Sequence, residues 1–90
     1  MGDTILIAFD STQQALRAEM LLEYANIEID TRPTPKEITA GCALSIEFPY
    51  EQYRQACKII HSQQVVIKGM YQYQQGTYEE INLLLTEGEE

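Results

Sequence analysis

The chain has no tryptophan, one histidine and two cysteines, and sets six Lys plus Arg against fourteen Asp plus Glu. The resulting net charge of −8 argues against a nucleic-acid or anionic-membrane partner, because both need cationic surface to neutralise phosphates. Two cysteines form no disulfide framework. Without a Cys-x-x-Cys pair or a spaced Cys/His set, no metal site is expected, and nothing calls for a cofactor. Gly41, Gly69 and Gly76 stand alone, so there is no glycine-rich phosphate loop. No apolar run approaches the length that spans a bilayer. The first one, Ile5 to Phe9, follows an acidic start and is too short for a secretory signal. Met1-Gly2 opens like a myristoylation site, but Leu6 stands where Ser or Thr is required. A reducing cytoplasm with free thiols is the expectation.

Ninety residues suit a single domain, 1–90, with a core over about 4–73. Thr4 to Phe9 reads as a buried strand. Ser11 then offers a helix N-cap, and Gln14 completes a capping-box pattern. Ala15, Ala18, Leu22 and Ala25 trace a helical stripe widened by Leu21, and Asn26 supplies a left-handed stop. Ile27, Ile29 and Thr31 alternate with polar residues as a second strand. Pro33 and Pro35 interrupt regular structure, and Leu44, Ile46 and Phe48 mark a third strand. Pro49 suits a helix start, with Tyr50, Tyr53, Ala56, Cys57 and Ile60 on the apolar side. Val65 begins a fourth strand, with a bulge expected at Gly69. Thr77 and Glu80 form a capping-box signature for an amphipathic C-terminal helix over about 77–87, with Tyr78, Ile81, Leu84 and Leu85 on one stripe. The acidic residues gathered there, Glu79, Glu80, Glu87, Glu89 and Glu90, read as a solvated end.

The order β-α-β-β-α-β predicts an α+β fold, a ferredoxin-like antiparallel sheet with two helices on one face and an added C-terminal helix. That helix is expected to cover the second sheet face or to bury its stripe, Tyr78, Ile81, Leu84 and Leu85, against another subunit.

The stretch from Thr34 to Cys42 carries the chemistry. Gly41 is expected to permit a backbone conformation that a side chain would resist, and Cys42 stands beside it at the foot of the third strand. A neighbouring cation or helix N-terminus favours the reactive thiolate, and Lys36 and Arg32 are near in sequence. Cys42 reads equally as a small buried hydrophobe, whereas Cys57 falls on a helix's apolar stripe and reads as core. His61, near the end of the second helix, suits the helix dipole better than partnership with Cys42. Tyr71, Tyr73 and Tyr78 read as core or interface.

Thr34, Pro35, Lys36, Glu37, Ile38, Thr39, Cys42, Leu44 and Ile46 together resemble the motif of a small bacterial selenium/sulfur carrier-like domain family. The chain departs from that pattern at Ala43, where the family favours Gly, and at Ala40 and Gly41, where small hydroxylated residues are usual. The resemblance implies that Cys42 holds a transferred sulfur or selenium as a persulfide or selenopersulfide. Pro35, Lys36, Thr39 and Gly41 would shape its loop, and a donor protein and an acceptor protein would be the partners. A carrier needs an exposed nucleophile on a flexible loop but no general base of its own, so the chain reads more as a carrier or binding protein than as an autonomous enzyme. The rival reading is a non-catalytic interaction or small-ligand-binding module that self-associates, for instance as a homodimer.

Overall fold

The computed structural model describes residues 4–81, as five strands and two α-helices. The elements run β1 (Thr4–Ala8), α1 (Thr12–Tyr24), β2 (Asp30–Pro33), β3 (Leu44–Pro49), α2 (Tyr53–Ser62), β4 (Gly69–Gln74) and β5 (Thr77–Ile81). A single 3-10 turn, Tyr50–Gln52, leads into α2. The strands form one antiparallel sheet in the order β2-β3-β1-β4-β5. The α+β class is as expected. The sheet differs from the four-stranded expectation by an extra strand at one edge.

That strand, Thr77–Ile81, corrects the start of the expected C-terminal helix; the rest of that helix, 82–87, lies outside the described residues. Gln75 and Gly76 both take positive φ, 50° and 83°, the combination of a two-residue hairpin turn whose twist matches that of the flanking strands. The turn folds β5 back on β4, pairing Tyr73 with Tyr78 and Met70 with Ile81. Thr77 bonds back to the Gln74 carbonyl (3.1 Å) and caps no helix. Cross-strand pairing outweighs a helical period that a Thr-Tyr-Glu-Glu-Ile segment states only weakly. Leu84 and Leu85 lie outside the described residues.

Alternation along β1 builds two apolar layers. Ile5 and Ile7 face the helices, where Phe9, Ala15, Ala18, Leu22, Ile46, Phe48, Ala56, Cys57, Ile60 and Met70 complete the main core. The alanines of α1 let its backbone lie close to the sheet. Leu6 and Ala8 point to the other face, where Ile38 and Ala40 from the β2–β3 loop and Tyr71 and Tyr78 from the hairpin cover them. Among the described residues, the second face is thus partly closed by a loop and tyrosines.

Several boundaries move for local reasons. Ser11 caps α1 by accepting from the Gln14 N–H (3.4 Å), but the Gln14 side chain accepts from the Val66 N–H (3.0 Å), so the reciprocal half of the capping box is absent. Asn26, at φ 65°, ends the helix, and the Ile27 N–H returns to the Leu22 carbonyl. This return delays β2 to Asp30. Val65 is likewise tied to the Ile60 carbonyl after Gln64 takes φ 55°, so β4 starts at Gly69 and contains no bulge there.

Candidate functional site

The loop between β2 and β3 is closed at its neck. The Thr34 N–H donates to the Ala43 carbonyl (2.8 Å), and the Thr34 hydroxyl donates to the Cys42 carbonyl (3.0 Å) and meets the buried Ser45 hydroxyl at 2.6 Å. Within the loop, the Ile38 N–H reaches the Pro35 carbonyl (3.0 Å), making a turn that delivers Ile38 onto Leu6 and Ala8. Further on, the chain returns to the β1–α1 junction. The Gly41 N–H donates to Asp10 Oδ1 (2.7 Å) and the Cys42 N–H to the Phe9 carbonyl (3.1 Å).

The last pair of bonds explains the glycine. A Cβ at Gly41 would stand 2.8 Å from the Asp10 carbonyl oxygen, closer than real Cβ contacts come. Close backbone approach requires the glycine, and its φ is not in the positive range.

The docking carries Cys42 to the first turn of α1. Its sulfur lies 3.4 Å from the Thr12 hydroxyl and accepts from the Leu44 N–H (3.3 Å). The Leu44 N–H is a donor to the sulfur, and the Thr12 hydroxyl either donates to it or accepts from it. Cys42 is a free thiol and only 3% exposed. It lines an open depression of about 410 Å³ whose other walls are Thr12, Thr31, Arg32, Pro33, Ala43 and Leu44. Cys42 is thus part of the main core, as its reading as a small buried hydrophobe had it, and borders the depression without the exposure expected of a carrier's loop thiol.

The remaining expected loop residues are placed elsewhere. Lys36 and Thr39 are exposed, and Pro35 serves the turn beneath Ile38. Arg32 lines the depression, but its Nε is paired with Glu47 Oε1 at 2.8 Å. The groups that hold the sulfur are Thr12 and the Leu44 N–H, with Asp10 and Thr34 fixing the backbone around them. Sequence reading missed Thr12 and Asp10 because they lie some thirty residues upstream. The helix-capping Ser11 was the one local hint that an N-terminus lay there.

Cys57 is fully buried, with its thiol 3.8 Å from the Met70 sulfur, in keeping with a core role. His61 is exposed in the last turn of α2. Tyr78 packs on the second face and Ile81 against the main core. Among the described residues, no His/Cys/Asp/Glu group is arranged to hold a metal, and no helix is long and apolar enough to cross a membrane.

The chain matches, over residues 4–72, the family described as "Putative Se/S carrier protein-like". Comparison with curated proteins and with solved structures finds no match. The matched region runs from β1 into β4 and contains the whole Cys42 site, so the chain belongs to this family.

Proposed function

We propose that this family member is a sulfur or selenium carrier in which Cys42 takes a chalcogen atom from a donor protein and hands it to an acceptor protein. The observation that carries the reading is the placing of the Cys42 sulfur, within hydrogen-bond reach of the Thr12 hydroxyl and the Leu44 N–H, in a residue that lines an open depression. The β2-β3-β1-β4 order supports counting the frame as ferredoxin-like with β5 added. Two cysteines outside any disulfide suit a reducing cytoplasm.

The transfer is an exchange of one bond for another. The Cys42 thiolate attacks the outer chalcogen of the donor's persulfide or selenopersulfide. A bond from Cys42 to that atom forms as the donor's own bond to it breaks, and the electron pair leaves on the donor sulfur as a thiolate. That thiolate takes up the proton which Cys42 released, so nothing is oxidised or reduced overall. An acceptor thiolate repeats the step in the other direction. Before loading, and again once the acceptor has taken the atom, the Leu44 N–H and Thr12 hydroxyl are placed to steady charge on the Cys42 sulfur.

The test incubates the reduced protein with a cysteine desulfurase and cysteine, then takes an intact mass and maps the modified peptide. One labile sulfur on Cys42, absent from Cys42→Ala, is expected, with Cys57 unmodified. An unmodified Cys42, with the desulfurase active on another acceptor, removes the reading.

A further inference from the structure

Among the described residues β2 is a free edge of the sheet, and all four of its residues are exposed. The bond from the Thr34 N–H to the Ala43 carbonyl fixes the phase of the β2–β3 ladder. By antiparallel alternation, Asp30 and Arg32 turn their main-chain groups towards β3, while Thr31 and Pro33 turn theirs outward. Pro33 has no N–H to offer, and its missing donor falls on the solvent side, where an edge tolerates it. The outward groups of this strand are the Thr31 N–H, the Thr31 carbonyl and the Pro33 carbonyl. The Thr31 and Pro33 side chains, which share a face with Ile46 and Leu44, line the depression over Cys42.

The flank below this edge is acidic. Thr12 lines the same depression, and Leu16, Glu19 and Glu23 follow it at helical spacing, so this stripe of α1 looks out past β2. Glu23 is exposed and Glu19 half-buried; Glu28 and Asp30, both exposed, lead into the strand. Arg32, the cation of β2, is already paired with Glu47.

We infer that the β2 edge receives an extended, Lys- or Arg-bearing segment of the protein that exchanges sulfur with Cys42. The segment adds as a further strand on Thr31 and Pro33. Main-chain bonds supply the docking, and basic side chains meet Glu19 and Glu23. The register fixes which side chain reaches the sulfur: a residue opposite Thr31 or Pro33 points to the helix side of the sheet, where the depression opens. A second copy of this chain is a poorer occupant, because it would set its own Glu19 and Glu23 towards these. The inference rests on the carrier reading and adds the partner's shape and charge.

The probe is a blocked peptide, Lys-Val-Cys-Val-Lys, whose lysines and cysteine share one face of a strand; Glu-Val-Cys-Val-Glu is the control. Both are titrated under reducing conditions into labelled protein, following backbone amides by NMR. Saturable shifts at Arg32, Ala43 and Leu44 are expected with the basic peptide alone. Thr31→Pro removes an N–H that the β2–β3 ladder does not use, and should abolish those shifts while leaving the rest of the spectrum in place. Glu19→Lys with Glu23→Lys should weaken binding by at least about twofold. Equal binding of both peptides, shifts centred on β5, or unchanged binding by Thr31→Pro overturns the inference. So does a wild-type dimer in sedimentation that Thr31→Pro dissociates.

Sulfur loading separates the two readings. If Thr31→Pro accepts sulfur from the desulfurase at the wild-type rate, the docking edge fails and the carrier stands. If the basic peptide binds as described but Cys42 never loads, the docking edge stands and the carrier fails.

Discussion

At the scale of single residues, Gly41 is the tightest constraint on the site. Its N–H and its bare Cα both lie against Asp10, so a methyl group must push the loop off the β1–α1 junction. Gly41→Ala is expected to cost about 1–3 kcal/mol, read as a lower urea midpoint. Because the next residue is Cys42, the same change should speed its labelling by a thiol reagent while Cys57 stays protected by the main core. A normal midpoint with unchanged labelling would show that the loop absorbs the methyl elsewhere. The sequence picked out Cys42 and Gly41 but not what the glycine lies against, since close approach to a residue thirty-one positions away leaves no local mark.

Among the elements, the most legible were those with a strong period and a clear start. β1, α1 with its Ser11 cap, β3 and the apolar side of α2 all appear where alternation or helical spacing places them. The β4–β5 hairpin was not legible, because Thr77 to Ile81 serves either a helix or a strand and only the turn decides. Gly76, at φ 83° with nothing within 4 Å of a would-be Cβ, makes that decision by conformation alone. Gly76→Ala is expected to destabilise the hairpin by about 1–2 kcal/mol without any clash, and Gly76→Asn by less, since Asn tolerates left-handed backbone. Amide hydrogen exchange should quicken first across β5 and its partners on β4. Equal acceleration along β2 and β3 would contradict a local effect.

For the whole molecule, the second sheet face sets the response to alkali. Tyr71 is held above its ordinary value of 10.0, first by burial and then by the carboxylates of Glu80 and Asp10. Tyr78 is raised likewise by burial, then by Glu47, Tyr73 and Glu37, with Arg32 opposing. Both phenols are thus easier to ionise in the unfolded chain. Their contribution to stability is complete below about pH 10 and is lost as pH rises from there through the folded-state values. Tyr71→Phe combined with Tyr78→Phe should flatten the alkaline fall in the urea midpoint relative to wild type. An equally steep fall in the double variant would place its cause elsewhere.

The loop that holds Cys42 touches both sides of the sheet, with Ile38 seated on Leu6 and Ala8 and Cys42 seated in the main core beside Thr12. It is stapled across the end of the sheet as a clasp is across the edge of a page. A clasp cannot be lifted at one side alone: loosening Ile38 slackens the strip of backbone that ends at the sulfur. The face that carries Ile38 thereby acquires a hand on the position of the Cys42 sulfur on the other.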